Sequence, residues 1–286
     1  MTWFTSPNEA HDRLSAVGYL PDPATSMTAY LAGALEKPLL IEGPAGVGKT
    51  ELAKAIARTT DAELVRLQCY EGLDEARALY EWNYKKQLLR IQASGGQDWD
   101  ATHDDIFSDE FLLTRPLLTA IRRSEPTVLL IDEVDKTDVE VEALLLEVLS
   151  DFQVTIPELG TITATRRPLV ILTSNATREL SEAVKRRCLY LHIDYPDSAR
   201  EKEIVLGQVD GIEDRLAAEV VELVHRLRGM ELKKQPSIAE TIDWARTLVA
   251  LSVGSLDNAT VEQTLGVLLK HATDHDRAIR ELKLRA

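Results

Sequence analysis

Apolar runs recur through the first two thirds of the chain: Leu39-Leu40-Ile41, Pro126 to Ile131 with only Thr127 interrupting it, and Leu169 to Leu172, while Cys188 to Ile193 reads as a further strand. Runs this short and this continuous suit strands buried on both faces, the condition of a parallel sheet. Leu64-Val65-Arg66-Leu67-Gln68-Cys69-Tyr70 alternates instead, which suits a strand close to a sheet edge. Between these runs the apolar positions take a helical period. The pattern predicts helices over Glu9 to Val17, Ser26 to Leu35, Glu51 to Thr59 and Val139 to Leu149, the last striped by Val141, Leu144, Leu145 and Val148. Asp74 to Gln92 reads as one further helix, broken by Ser94-Gly95-Gly96. Phe152 to Ile156 and Thr161 to Thr165, separated by Pro157-Glu158-Leu159-Gly160, read as the arms of a hairpin. Strand, helix, strand order demands a parallel sheet flanked by helices.

Beyond Asp194-Tyr195-Pro196 the pattern changes to helices alone. Leu216, Val220, Leu223 and Leu227 stripe one, Ile242, Ala245, Leu248 and Val249 another, Val261, Leu265 and Leu268 a third. The expected division is an α/β domain over 1–195, with a short helical start, and a small all-helical domain over 196–286.

The first strand runs directly into Gly43-Pro44-Ala45-Gly46-Val47-Gly48-Lys49-Thr50 and then into a helix beginning at Glu51. A glycine-rich turn in that position lets consecutive backbone N–H groups converge on phosphate oxygens, where a Cβ would hold the ligand away. Lys49 is placed to reach the β- and γ-phosphates of a nucleoside triphosphate, and Thr50 to offer its hydroxyl to Mg²⁺. A second constellation closes the Val128–Ile131 strand with Asp132-Glu133. The end of a central parallel strand is where an open sheet exposes its chemistry, so Asp132 is the candidate to position Mg²⁺ and Glu133 the candidate general base toward a water. Asn175, at the end of its own strand, is a candidate for the γ-phosphate or that water; a local turn with Thr177 is the alternative. Lys185-Arg186-Arg187 precedes the last strand, and an arginine there can stabilise charge on a γ-phosphate across a subunit boundary.

Composition narrows the classes. Hydrophobic residues make up 44% of the 286 positions but aromatic ones 5%, so the core must be built of Leu, Val, Ile and Ala. A net charge of -14 opposes diffuse association with nucleic acid or an anionic membrane. Cys69 and Cys188 sit in apolar runs without a ligand motif, which points to buried free thiols and a reducing compartment, with the cytoplasm as default; no membrane span or secretory start is indicated. Three other constellations carry bland readings. Asp98, Asp100 and Asp104 imitate part of a calcium loop, but His103 stands where its glycine belongs, so a solvated or substrate-facing loop is the better account. His271, His275 and Asp276 lack zinc spacing and read as surface residues. Tyr80, Trp82, Tyr84 and Lys85-Lys86 read as packing against this chain or a neighbouring subunit, with a polynucleotide face as the lesser alternative. Tyr19 and Leu20 suit either a nucleobase contact or domain-edge packing.

In order, these signals resemble the AAA+ ATPases and, within them, the MoxR family. GPAGVGKT at 43–50 matches Walker A, LLIDEVDK at 129–136 Walker B, QVTIPELGTITAT at 153–165 the hairpin, LTSN at 172–175 sensor 1, and LSEAVKRRC at 180–188 the arginine-finger region. The family's Arg-aromatic pair falls on Arg187-Cys188, which makes Arg187 the finger although the aromatic is absent. The resemblance implies a P-loop three-layer sandwich with a parallel five-stranded core sheet and a small all-helical lid. It implies ATP with Mg²⁺ held by Gly43 to Thr50, Glu51 and Asp132, with Thr50 and Asp132 on the metal and Lys49, Glu133, Asn175 and Arg187 catalytic. It also implies a ring, commonly a hexamer, that remodels a client protein, often beside a von Willebrand factor A domain protein. The chain looks most like the branch that supports metal-centre assembly in enzymes such as carbon monoxide dehydrogenase.

One part of the family pattern is missing. The second sensor arginine normally follows a Ser-Pro pair, and this chain has Lys233-Lys234-Gln235-Pro236-Ser237-Ile238-Ala239-Glu240 instead. Lys234 or Arg246 substitutes, another group reads the nucleotide, or hydrolysis is slowed. The competing functions are a nucleic-acid motor or loader, which the uncharged hairpin arms disfavour, and a nucleotide-switched binding module, which Glu133 disfavours.

Overall fold

The computed structural model describes residues 3–93, 103 and 105–284. The Asp98, Asp100 and Asp104 carboxylates and the Ser94-Gly95-Gly96 break lie outside those residues. The chain separates into two compact units, residues 1–42 with 49–192, and residues 43–48 with 193–286.

The first unit is built on five strands: β1 (Leu39–Glu42), β2 (Glu63–Gln68), β5 (Thr127–Asp132), β8 (Leu169–Ser174) and β9 (Leu189–His192). They lie in the order β2-β5-β8-β1-β9, and every pairing is parallel. β5 and β8 are buried at every position, which is why their sequences carry no alternation. β2 is exposed at Glu63 and Arg66 and buried at Val65 and Leu67, as its edge position requires. The parallel sheet flanked by helices is therefore the one the patterning implied, and its five strands are those the resemblance implied.

Helix starts follow local chemistry. Ser6 and Asp22 each accept a hydrogen bond from the backbone three residues on and are each followed by proline, so helices Pro7–Ala16 and Pro23–Ala34 begin at those caps. Helix Val139–Asp151 stops at Phe152, whose left-handed backbone turns the chain into β6 (Gln153–Ile156) and β7 (Gly160–Thr163). These two strands pair antiparallel as the expected hairpin.

The single helix expected over Asp74 to Gln92 is corrected. Glu75–Ala78 is one helical turn, Tyr80–Trp82 is strand β3, and Tyr84–Ala93 is the second helix. β3 pairs antiparallel with β4 (Leu112–Thr114), and Trp82 is buried, edge-on to Phe107 at 5.1 Å between ring centres. The period-two spacing of Tyr80 and Trp82 was the strand's own signature, hidden inside a helix-favouring composition, while Tyr84 opens the helix that follows. Cys69 is buried as expected, whereas Cys188 is only partly so.

The second unit holds helices Ser198–Gln208, Asp214–Arg228, Ile238–Ala250, Asn258–Leu268 and Ala272–Glu281. Its core is Leu216, Val220, Val224, Leu227, Leu248 and Leu265 around Trp244, whose indole N–H donates to Thr264 at 2.8 Å. Glu201 is wholly buried there. Its carboxylate takes two hydrogen bonds from Arg228 (2.5 and 2.8 Å), one from Thr241 (2.8 Å), and lies 2.9 Å from His225 Nε2. Among the described residues no helix is long and apolar enough to cross a membrane.

Removing the Glu201 carboxylate leaves Arg228 charged, buried and uncompensated. Glu201→Ala is therefore expected to destabilise the chain by about 3–5 kcal/mol. A urea titration followed by tryptophan fluorescence checks this.

Candidate active site

A parallel sheet brings the carboxyl ends of its strands to one edge, and β1, β2, β5 and β8 each deliver chemistry there. β1 leads into the Gly43–Gly48 turn. Gly43 and Gly46 have positive φ of 154° and 76°, and a Cβ on either would meet other atoms: the Ile193 carbonyl at 1.8 Å from Gly43, the Ser237 side chain at 2.3 Å from Gly46. Both glycines are thus required by packing within the second unit.

The helix opens at Lys49, which is buried, and its ammonium donates to Asn175 Oδ1 at 2.8 Å. Burial pushes the Lys49 pKa below its ordinary value, against the opposing pull of Asp135, Asp132 and Glu133. Thr50 Oγ1 donates to Asp132 Oδ1 at 3.0 Å. Asp132 also accepts from Thr173 Oγ1 and from Arg66 Nη2, each at 2.5 Å. Glu133 has a left-handed backbone, and its N–H donates to Thr173 Oγ1 at 2.9 Å. Its carboxylate takes Gln68 Nε2 at 3.0 Å and Lys136 Nζ at 2.7 Å on Oε2, with Asn175 Nδ2 at 3.5 Å from Oε1. Lys49, Thr50, Asp132, Glu133 and Asn175, far apart in sequence, form one hydrogen-bonded group.

Thr50 and Asp132 present hard oxygen donors, and their 3.0 Å separation matches neighbouring corners of an octahedron with metal–oxygen distances of about 2.1 Å. The residues present fit Mg²⁺. The Glu51 side chain is paired with Arg58 at 2.7 Å and Lys54 at 3.6 Å. Arg187 donates to the Ser150 hydroxyl and, at 2.9 Å, to the Ala183 carbonyl, so its hydrogen bonds lie outside the strand-end group. Its neighbour Arg186 is 80% exposed, with Glu182 at 3.9 Å. In the second unit Lys234 donates to Glu240 at 3.2 Å and Arg246 to the Gln208 carbonyl at 3.2 Å. His275 Nε2 lies 2.8 Å from the Leu269 carbonyl, and no metal-holding cluster of His, Cys, Asp or Glu occurs among the described residues.

Two carboxylates that carried no assigned role in the sequence reading position the rest. Asp135 is buried and accepts the backbone N–H of Asn175 (3.1 Å) and both the N–H (3.0 Å) and hydroxyl (2.6 Å) of Thr177. Glu142 is buried and holds the Ser181 N–H at 2.9 Å and Arg178 at 2.5 Å. Burial raises the Asp135 pKa, but the hydrogen bonds from Thr177 and Asn175 outweigh it and leave the carboxyl below its ordinary value. The Cys69 thiol, beside Asp132 in space, is pushed up to about 12, first by burial and then by the surrounding carboxylates, so it stays neutral. Arg66 and Gln68 were also passed over. The signal for them was two polar side chains at i and i+2 on an edge strand.

A model of the ATPase family associated with various cellular activities (AAA) matches residues 39–195. Two uncharacterized proteins of Staphylococcus aureus, from strains COL and MW2, are each 29% identical over 224 residues, which is 76% of this chain and 77% of theirs. A RuvB point mutant from Thermotoga maritima has a similar fold, with a TM-score of 0.51 at 20% identity over 92% of this chain and 71% of that one.

Because the folded pKa of Asp135 is depressed, its stabilising contribution is complete above the unfolded value near 3.9 and is lost as pH falls through the lower folded value. Asp135→Asn is expected to cost about 1–2 kcal/mol at neutral pH. The gap from the parent should narrow toward pH 3, as read by urea midpoints across the pH range.

Proposed function

The chain belongs to the ATPase family associated with various cellular activities (AAA), and we propose that it uses ATP hydrolysis to remodel or activate a partner protein. The observation that carries the nucleotide part is the convergence of Lys49, Thr50, Asp132, Glu133 and Asn175 at adjacent strand ends. Backbone N–H groups of the Gly43–Gly48 turn and the Lys49 ammonium hold the phosphates, and Thr50 and Asp132 hold Mg²⁺. When bound, Mg²⁺ would supply positive charge against the phosphates. Glu133 takes a proton from the attacking water at its carboxylate, and Asn175, already spanning Lys49 and Glu133, orients that water toward the γ-phosphate. Arg187 serves a neighbouring subunit's site, with Ser150 and Ala183 fixing its approach, and residues 196–286 act as the lid.

The assignment to the MoxR type, with a hexameric ring, a von Willebrand factor A domain partner and a role in metalloenzyme maturation, rests on the order of the motifs. The protein client is favoured over nucleic acid by the net charge of -14 and by a hairpin tip, Pro157 to Gly160, whose only charge is the negative one on Glu158. A nucleic-acid-associated motor is the second reading, since the same ATPase fold serves either kind of client.

Glu133→Gln keeps the phosphate-binding groups and removes the base. It is expected to bind ATP within about threefold of the parent and to lose turnover by about a hundredfold or more. Equal turnover in variant and parent would defeat the assignment of the base. Held in ATP, the same variant should retain a protein on affinity capture, and its parent's ATPase rate should not rise with single- or double-stranded DNA. Stimulation by DNA would replace the protein-client reading with the nucleic-acid one.

A further inference from the structure

We propose that Arg66 is a built-in stand-in for the divalent cation at Asp132, a positioning residue that the metal has to displace. The inference rests on the ATPase reading and concerns the same site. The Asp132 side chain is 4% exposed, and a carboxylate so buried is costly without compensation. Thr50 and Thr173 share one of its oxygens and Arg66 takes the other, at 2.5 Å. Of these three donors only Arg66 carries a full charge.

Arg66 comes from the edge strand with its side chain 47% exposed, so the guanidinium can leave Asp132 for solvent without stranding a buried cation. A divalent ion held by Thr50 and Asp132 draws on the same carboxylate, and two cations packed against it repel each other. Metal entry and the Arg66–Asp132 pair are therefore in competition.

The same Arg66 nitrogen also donates to Gln68 Oε1. Gln68 lies two residues along β2, on the same face of the strand, and in register with Asp132. Its amide nitrogen donates to Glu133 Oε2 at 3.0 Å, so Arg66 fixes which way that amide points. Release of Arg66 from Asp132 removes the group that holds Gln68 against the base. Filling of the metal position and freeing of Glu133 are thereby linked through one guanidinium.

The test titrates free Mg²⁺ into the full chain with a fluorescent, non-hydrolysable ATP analogue and reads the Mg²⁺ concentration that gives half of the gain in analogue affinity. Arg66→Ala and Arg66→Gln, which differ in bulk but both remove the charge, are expected to lower that midpoint by about threefold or more. Analogue affinity in EDTA should stay within about twofold of the parent, a separation that a merely structural role would not produce. An unchanged or raised midpoint in either folded variant overturns the inference while leaving the ATPase reading standing. A parent chain that shows no Mg²⁺-dependent binding at all overturns both.

Discussion

Buried carboxylates, one at the end of β5, one in the turn that follows and one in the next helix, govern the first unit. Asp132, Asp135 and Glu142 are each at most 3% exposed, and a charge removed from water to that extent persists only where several donors meet it. Their donors come from different places. Asp132 draws on the helix that begins at Lys49, on β2 and on β8; Asp135 and Glu142 draw on the loop that follows β8. Satisfying these groups therefore fixes the spacing of elements that the sheet alone would only set side by side. The geometry at Glu133 and Asn175 is a by-product of that requirement, and it is the kind of preorganisation that lets fixed dipoles act on a reacting phosphate without rearranging first.

The same rule operates in the second unit with different consequences. Glu201 collects Arg228, His225 and Thr241, while Arg228 also donates to the Pro236 carbonyl and stacks on Tyr195 at 4.4 Å. Three helices and the loop before Ser237 are thus joined at one buried charge. Ser237 caps its helix through a reciprocal pair with Glu240, and its side chain stands where a Cβ on Gly46 would have to be. The Gly43–Gly48 turn is packed by residues whose own positions depend on Glu201, so the shape of the turn and the order of the helical unit are energetically connected.

Much of this was legible because the chemistry and the burial are local. Central parallel strands cannot alternate, so Val128 to Ile131 and Leu169 to Leu172 announced themselves, and the alternation after Leu64 correctly put β2 at an edge. The glycine-lysine-threonine turn and the Asp-Glu pair carry their meaning in adjacent residues. What stayed hidden depends on partners distant in the chain. β3 is a strand because Leu112 to Thr114 lie beside it, about thirty residues on, and three residues of strand cannot outweigh a helical composition in any local window. Arg66 and Gln68 acquire their roles only through the register that sets Gln68 opposite Asp132, and no period in the sequence reveals a register. Asp135 and Glu142 looked like the ordinary polar faces of a turn and a helix, because their burial is created by the loop after β8.

Helix Val139–Asp151 shows how a load on the hairpin would be felt at the site. Its first turns carry Glu142, which holds Arg178 and the Ser181 N–H; its last turn carries Ser150, which holds Arg187. The helix passes through the left-handed Phe152 directly into the hairpin strands, so no flexible linker separates them. A force along the hairpin therefore meets a rigid helix before anything softer. That helix is bonded at one end to the loop presenting Asn175 and at the other to the candidate finger. Displacing it strains the hydrogen bonds of the buried Glu142 and of Arg187 at once, and a packed element anchored in this way shifts between discrete arrangements more readily than it bends. The hairpin is thus mechanically joined, through one helix, to the loop that presents Asn175 and to Arg187.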